Sequence, residues 1–156
     1  MRAVTTCVIA LVLAGCSTAD NDAADTTAGA TGAVEAAPAT LSLADVAGTW
    51  NVSSRIEGND TTLVDYQLIA TADRTGWSIK FPDREPIPVR VVAVEGDSVV
   101  YEAGPFESVL RKGVQVRTHV VGRLRDGRLI GNTVARYDVT GADTVTRLTY
   151  EATRAP

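Results

Sequence analysis

The chain is poor in the residues that build metal sites and redox centres. Its 156 residues include one histidine, two cysteines and one methionine. Metal sites rely mainly on histidine, cysteine and clustered carboxylates. The sequence also contains no glycine-rich phosphate loop, no Gly-x-Ser-x-Gly elbow and no Cys-x-x-Cys pair. It therefore predicts no bound metal, no cofactor and no enzymatic activity.

The chain also lacks an excess of basic residues. The chain has 15 lysine and arginine residues against 19 acidic ones, for a formal net charge of -4. Nucleic-acid-binding domains normally present a basic surface, so we expect no nucleic-acid partner. The single histidine, His119, falls on the outward face of a predicted strand, and we interpret it as a surface residue. The arginines of that face could form an anion-binding stripe, but nearby acids are expected to neutralise them.

The N-terminus has the pattern of an export signal. Arg2 precedes an apolar run over residues 7–14, which is too short to span a bilayer and is typical of a secretory signal peptide. The run ends in Leu13-Ala14-Gly15-Cys16, which resembles the lipobox of bacterial lipoproteins. The resemblance implies that residues 1–15 are removed and that Cys16 is lipidated. The alternative is an ordinary signal peptide with a chance cysteine.

The same resemblance predicts a location. Lipid chains on Cys16 would make the membrane a partner of the protein, since each buried CH₂ adds about 0.8 kcal/mol to anchoring. Serine at position 17 implies the outer membrane, where the organism has one, because aspartate there is the inner-membrane retention residue. The prediction is an exported protein that is lipid-anchored in the cell envelope.

A linker follows the lipidated cysteine over residues 16–40. It contains nine alanines and five threonines, no aromatic residue, and Val34 as its one large aliphatic residue. Such a segment cannot bury enough apolar surface to offset its ordering entropy, so we predict a flexible tether. A helix is the competing interpretation of the alanines, although Gly, Thr, Asp and Pro38 interrupt them.

Residues 41–156 show the alternation of β-strands. Apolar and polar residues alternate, and turn residues recur about every ten positions. Asp126-Gly127 predicts a tight hairpin that pairs Val120 with Thr133 and Gly122 with Gly131. Eight antiparallel strands with one apolar face and short connections predict an all-β fold, an eight-stranded up-and-down barrel rather than a Greek-key sandwich. The predicted strands are 49–56, 62–71, 76–81, 87–94, 98–104, 114–125, 128–137 and 144–154.

The ends of this barrel resemble those of lipocalins. Gly48-Thr49-Trp50 opens the first strand and is similar to the Gly-x-Trp motif of that family. The resemblance implies that Arg154, at the end of the last strand, packs across Trp50 and seals the closed end of the barrel. It makes the domain lipocalin-like, since the family's Thr-Asp-Tyr motif is absent.

The predicted inner face combines aliphatic residues with hydroxyl groups. An apolar pocket with a few polar groups is typical of a small-molecule site, and eight strands just enclose one small ligand or fill with side chains. We therefore predict binding of a small, largely apolar ligand. The alternative is a filled barrel in a structural lipoprotein that docks to an envelope protein complex. The candidate ligand-binding residues are Tyr66, Phe106, Thr118, Thr133, Tyr137 and Tyr150.

The longest predicted connection lies between strands five and six. Residues 105–113 place Phe106, Val109 and Leu110 at a spacing that puts them on one side of a helical turn. Such a turn would act as a lid over the mouth of the barrel. The alternative is an ordinary loop with its apolar groups tucked into the barrel end. The connections at the other end are expected to be tight.

Overall fold

The computed structural model describes residues 40–141 and 143–156. The predicted signal peptide, Cys16 and the predicted linker up to residue 39 lie outside the described residues.

Eight antiparallel strands form one closed barrel, in which each strand pairs with the next and β8 pairs with β1. The predicted fold class is confirmed. Among the described residues, no helix has the length and apolarity needed to cross a membrane. The elements are α1 (Leu43–Val46), β1 (Gly48–Ile56), β2 (Thr62–Ala70), β3 (Ser78–Lys80), β4 (Ile87–Glu95), β5 (Ser98–Glu107), β6 (Gln115–Arg125), β7 (Arg128–Tyr137) and β8 (Val145–Arg154).

The β6–β7 hairpin has the predicted turn and register. Asp126 and Gly127 have φ values of 49° and 75°, the left-handed region that a type I′ turn requires at both positions. Val120 pairs with Thr133, and the two glycines pair as expected. The hairpin register therefore follows from its two-residue turn.

The two ends of the barrel differ in how they are covered. We call the end where β1 begins and β8 ends the closed end, and the opposite end the mouth. The mouth carries the connections 57–61, 81–86, 108–114 and 138–144. At the closed end, β4–β5 and β6–β7 are joined by the two-residue turns 96–97 and 126–127.

One connection at the closed end is longer than predicted. Residues 71–77 join β2 to β3, and β3 covers only Ser78–Lys80 rather than 76–81. The Trp77 indole Nε1 donates hydrogen bonds to the carbonyls of Thr71 (3.1 Å) and Asp73 (2.9 Å). The segment therefore curls around the indole instead of extending the strand.

The short helix α1 was not predicted, because four residues show no helical period. A capping box forms it: the Ser42 amide donates to the Asp45 carboxylate at 2.7 Å, and the Asp45 amide donates to the Ser42 hydroxyl at 3.3 Å. Val46 at its end is fully buried and accepts a hydrogen bond from Trp50 Nε1 at 2.8 Å. The helix thus seals the closed end of the barrel.

The closed half of the interior is filled with large apolar side chains. Trp50, Leu68 and Leu129 are fully buried, and Trp77 is 2% exposed. Leu41 joins this core, and its amide donates to the Gly96 carbonyl at 2.7 Å. The chain therefore enters the barrel at the closed end.

The paired glycines mark the boundary of this filled half. A β-carbon on Gly122 would collide with the Tyr150 hydroxyl oxygen, and one on Gly131 would collide with the Tyr150 ring and the Val121 carbonyl. Tyr150 is the β8 neighbour of Gly131. Its ring lies across both glycines, so close packing accounts for glycine at these two strand positions.

Candidate functional site

The mouth half of the barrel encloses a cavity of about 60 Å³. Residues from every strand except β4 line it, together with the β5–β6 connection. The lining residues are Ser54, Val64, Tyr66, Ile79, Phe81, Tyr101, Ala103, Phe106, Ser108, Val109, Leu110, Val116, Thr118, Val120, Thr133, Ala135, Tyr137 and Leu148.

The lining is apolar with interspersed hydroxyl groups. It contains no aspartate, glutamate, lysine, arginine or histidine. Ser54 (2% exposed), Tyr101 (1%) and Thr133 (5%) place buried hydroxyl oxygens among aliphatic and aromatic side chains. A charged ligand group would lose its hydration here without meeting an opposite charge, which is costly. The cavity therefore suits a neutral molecule.

Five of the six predicted site residues line the cavity: Tyr66, Phe106, Thr118, Thr133 and Tyr137.

Tyr150 points inward as predicted and is 3% exposed, but it does not line the cavity. It lies one inward-facing layer closer to the closed end, against the glycine pair. Tyr150 thus lies beneath the lining, because the space beside two glycines takes up its ring, and its role in ligand binding stays a prediction.

Tyr101 and Ser54 line the cavity and were missed. In β5, Val99, Tyr101 and Ala103 face inward, but Val100 makes the apolar pattern continuous and hides the alternation. In β1, Ser54 follows Val52 at the inward parity, so parity alone identifies it. A buried serine at an inward position is the clue that points to a cavity.

Aromatic rings cross the mouth half. Tyr66 and Phe81 have ring centroids 5.3 Å apart, and Phe81 and Phe106 have centroids 6.0 Å apart. Deeper in the barrel, Trp77 and Tyr101 are 5.7 Å apart. These distances are in the favourable range for tilted aromatic pairs. Packing between the rings therefore stabilises the cavity wall.

The predicted lid helix does not form. Phe106 belongs to β5, which continues past an irregularity between Ala103 and Phe106 and pairs with β6 up to Glu107. In the connection that follows, the buried Ser108 hydroxyl accepts hydrogen bonds from the amides of Leu110 (3.0 Å) and Arg111 (3.1 Å). This serine closes a tight turn instead of a helical turn. The alternative of an ordinary loop describes the structure, with Leu110 partly buried at the barrel end and Val109 exposed (36%).

Two arginines tie the mouth connections together. Arg84 Nη1 donates to the Glu107 carbonyl at 2.6 Å, and Arg111 Nη1 donates to the Asp143 carbonyl at 2.7 Å. The Arg111 guanidinium also lies 4.1 Å from the centroid of the Tyr137 ring. The connections 81–86, 108–114 and 138–144 are therefore linked over the cavity.

Three buried hydroxyls make no well-formed hydrogen bond among the described residues: Tyr101 Oη, Thr133 Oγ1 and Tyr150 Oη. The Tyr101 and Tyr150 hydroxyls are nevertheless close enough for each to affect the pKa of the other. An unsatisfied buried polar group costs about 1–3 kcal/mol. Burial raises the pKa of Tyr66 to about 12, which the Ser54 hydroxyl opposes in part. Burial also raises the pKa values of Tyr101 and Tyr150 above the ordinary value. These phenols stay protonated at neutral pH and can donate hydrogen bonds.

The closed-end residues make the contact that the lipocalin resemblance implied. The Arg154 guanidinium carbon lies 4.4 Å from the centroid of the Trp50 ring, and its two terminal nitrogens donate to the carbonyls of Ala47 (2.6 Å) and Asp45 (2.7 Å). Gly48 has φ of 133°, and a β-carbon there would lie 2.7 Å from Arg154 Nη1. Glycine is needed at position 48 for both reasons.

The charged side chains on the outer surface of the barrel pair with one another. His119 Nδ1 lies 3.2 Å from Glu102, and Asp97 pairs with Arg123 and Arg125. Glu151 pairs with Arg128 and Arg55. Within the described part of the chain, no cluster of three metal-ligating side chains occurs.

No known protein family, curated protein or solved structure matches this chain. Its function is therefore inferred from the cavity and from the lipobox-like pattern at Cys16.

Proposed function

We propose that this protein is a membrane-anchored lipoprotein of the cell envelope whose barrel binds a small, largely apolar ligand. The observation that carries the proposal is the contrast within the barrel. The closed half is filled, whereas the mouth half leaves a cavity lined by aromatic, aliphatic and hydroxyl-bearing side chains. Binding of a molecule without covalent chemistry needs no more than such a lining.

The cavity volume limits what fits inside. Ligand sites for drug-sized molecules measure about 300–1,000 Å³, and a cavity of about 150 Å³ holds benzene. At about 60 Å³, the barrel encloses only a very small molecule or the narrow end of a longer one. A larger ligand has to displace the 108–114 connection, which contributes Val109 and Leu110 to the lining.

The anchor and the tether would determine how far the barrel can move from the membrane. Lipidation at Cys16 followed by a flexible tether of 24 residues would allow roughly 25–30 Å of average reach. The chain enters the domain at the closed end through Leu41. The tether would thus join the domain at the end opposite the mouth.

Native mass spectrometry tests the binding proposal directly. The purified protein is expected to retain a small molecule, or to take up the uncharged apolar dye N-phenylnaphthylamine. Because this dye is larger than the cavity, its uptake requires the 108–114 connection to move aside. Ala135→Leu adds side-chain volume at a buried lining position and should abolish the uptake. The outward-facing Val134→Leu serves as the control and should leave it unchanged.

The small volume favours one alternative function, a structural or interaction lipoprotein with an effectively filled barrel that docks to an envelope protein complex. The two proposals differ in the outcome of the same experiment. Absence of both a retained molecule and probe uptake contradicts ligand binding and supports the alternative.

Membrane anchoring has its own test. Cys16→Ser removes the sulfur that the lipid would modify, and the full-length protein should then leave the detergent phase or remain as an unprocessed precursor. Ser17→Ala is the matched control and should partition like the unmodified sequence. Unchanged partitioning of Cys16→Ser would contradict the lipoprotein proposal.

A further inference from the structure

The three partnerless hydroxyls lie at the floor of one cavity. Tyr101 and Thr133 both line it, and Tyr150 lies directly beneath. Their side chains are 1%, 5% and 3% exposed, so bulk water does not satisfy them. Each is a hydrogen-bond donor and acceptor that makes no well-formed hydrogen bond among the described residues.

The sheet register places these groups close together. Tyr101 on β5 pairs with Val120 on β6, and Val120 pairs with Thr133 on β7. Tyr101 and Thr133 therefore stand at one level of the barrel, on either side of one strand. Tyr150 on β8 pairs with Gly131, two residues from Thr133 toward the closed end, and its hydroxyl lies over Gly122. Three hydroxyl-bearing residues on β5, β7 and β8 are thus near neighbours at the floor of the cavity.

The residues that line the cavity determine which kind of ligand group can bind to these hydroxyls. No side chain lining the cavity is acidic or basic, so a carboxylate or an ammonium group would be buried without an opposite charge. A hydrocarbon would leave the Thr133 hydroxyl unsatisfied. It would also leave one phenol donor unsatisfied, since a hydrogen bond between Tyr101 and Tyr150 uses only one of their two protons. A neutral oxygen accepts hydrogen bonds from phenol and threonine hydroxyls and avoids both penalties.

We infer that the floor of the cavity recognises a neutral oxygen-bearing group, a carbonyl or a hydroxyl, at the buried end of an otherwise apolar ligand, through Tyr101 and Thr133, which line it. The inference rests on the proposed binding function and specifies its ligand class. The aromatic rings of Tyr66, Phe81 and Phe106 nearer the mouth then contact the apolar remainder of the ligand.

A probe series of equal chain length separates these possibilities. Octane, octanone, octanol and octanoate are each competed against bound N-phenylnaphthylamine on the purified protein. One neutral hydrogen bond contributes about 1 kcal/mol, so octanone and octanol should compete about fivefold to tenfold more strongly than octane once hydrophobic burial is matched. Octanoate should compete the least.

Isosteric variants test whether the floor is responsible. Thr133→Val and Tyr101→Phe keep the shape of the cavity and remove a hydroxyl. Each should lower the preference for octanone over octane toward one, without weakening octane. Thr149→Val is the matched control, because Thr149 lies on β8 at an outward-facing position and does not line the cavity. It should keep the preference.

The possible results separate the two proposals. If neither the dye nor any probe binds, the proposed binding function fails. If all probes bind equally and the variants change nothing, ligand binding stands and the inferred oxygen recognition is overturned.

Unfolding midpoints add a second readout without ligand. Removing a partnerless buried hydroxyl should leave the midpoint unchanged or raise it. A lowered midpoint in both Thr133→Val and Tyr101→Phe would show that the hydroxyls already have partners, such as internal water, and would contradict the inference.

Discussion

The closed half and the mouth half of this barrel are built by the same strands but filled differently. In the closed half, large apolar side chains such as Trp50, Trp77 and Leu129 fill the interior. None of the buried hydroxyls that lack a partner lies among them. In the mouth half, smaller residues such as Ala103 and Ala135 alternate with hydroxyl-bearing ones. The barrel diameter is set by strand number and tilt, so the volume of the inward side chains decides which half is solid and which is hollow.

Tyr150 forms the boundary between the halves. Its ring lies over the glycine pair, below Tyr101 and Thr133. The comparison teaches that one barrel can separate stability from binding along its axis. The filled half supplies the packing energy, and the mouth half can then carry polar groups and space at a cost that the packing offsets.

The largest expected effect comes from deleting the centre of the closed half. Trp50→Ala should lower the free energy of unfolding by about 3–5 kcal/mol, because it removes a fully buried aromatic side chain. Urea denaturation measures the loss. Phe106→Ala at the mouth, where the ring is only half-buried, should cost less than half as much. Equal losses would break the distinction between the halves.

High pH should destabilise the protein through its buried phenols. The pKa of Tyr66 is raised to about 12 in the folded state, against about 10 when unfolded. The stability contribution is complete below pH 10 and is lost as the pH rises through 12, because only the unfolded state ionises in this window. Tyr66 alone should lower the free energy of unfolding by about 2 kcal/mol between pH 10 and pH 12.

Denaturation curves at pH 8, 10, 11 and 12 check this expectation, with the pH values chosen to bracket the pKa of about 12. Tyr66→Phe should show a smaller loss over the same range. An identical pH profile for Tyr66→Phe and the unsubstituted protein would refute the assignment to this phenol.

The boundary between the halves should respond to small additions of volume. Gly122→Ala places a methyl group against the Tyr150 hydroxyl oxygen and should cost about 1–3 kcal/mol as an overpacked core position. Adding Tyr150→Phe removes that oxygen and should recover part of the loss in thermal denaturation.

Gly131→Ala is the matched control for this rescue. Its added methyl group collides with the Val121 backbone carbonyl as well as with the Tyr150 ring. Tyr150→Phe should therefore not rescue it. Equal rescue of both alanine variants would mean that the hydroxyl does not limit the space at Gly122.

Removing the Arg154 contacts at the closed end should have a moderate effect on stability. Arg154→Ala loses the contact with the Trp50 ring and two hydrogen bonds to the carbonyls of Asp45 and Ala47. We expect a loss of about 1–2 kcal/mol, since Arg154 is largely exposed and water replaces part of these contacts.

Arg154→Lys distinguishes charge from geometry. A lysine keeps the positive charge but lacks the planar fork that spans two carbonyls, so it should recover less than half of the loss. Full recovery in a urea titration would show that charge alone holds this end.

The smallest effect on stability is expected at the mouth. Arg111→Ala removes the links to Asp143 and Tyr137 and should lower the free energy of unfolding by less than about 1 kcal/mol. It should speed the release of bound N-phenylnaphthylamine several-fold in stopped-flow fluorescence. Arg117→Ala is the control, because Arg117 lies on the exposed outer face of β6, and it should leave dye release unchanged. An equal change in both variants would show that the contacts of Arg111 with Asp143 and Tyr137 do not control release.

Most of the fold could be predicted because its determinants are local. Alternation predicted all eight strands to within about three residues of their observed bounds, and Asp126-Gly127 defined the register of β6 and β7. The errors fall where tertiary contacts override local pattern. Trp77 curls residues 71–77 through hydrogen bonds to their carbonyls, and Phe106 continues β5 because β6 offers it a partner strand.

The candidate site was less predictable than the fold. Parity identified inward residues such as Thr133 and Tyr137, but it did not show at which depth each lies. The displacement of Tyr150 below the cavity follows from the room beside Gly122 and Gly131, which depends on how β8 is staggered against β7. The role of Tyr101 depends on the same stagger across β5 and β6.

The sequence by itself determined the number of strands, their antiparallel order and the inward face, because alternation and turn residues act over a few positions. It also carries the lipobox-like pattern around Cys16. Only the tertiary structure decided that one half of the barrel is filled and that three hydroxyl-bearing residues are near neighbours at the floor of the other. Those features depend on which residues of distant strands share a level, and barrel closure sets that stagger for all strands at once.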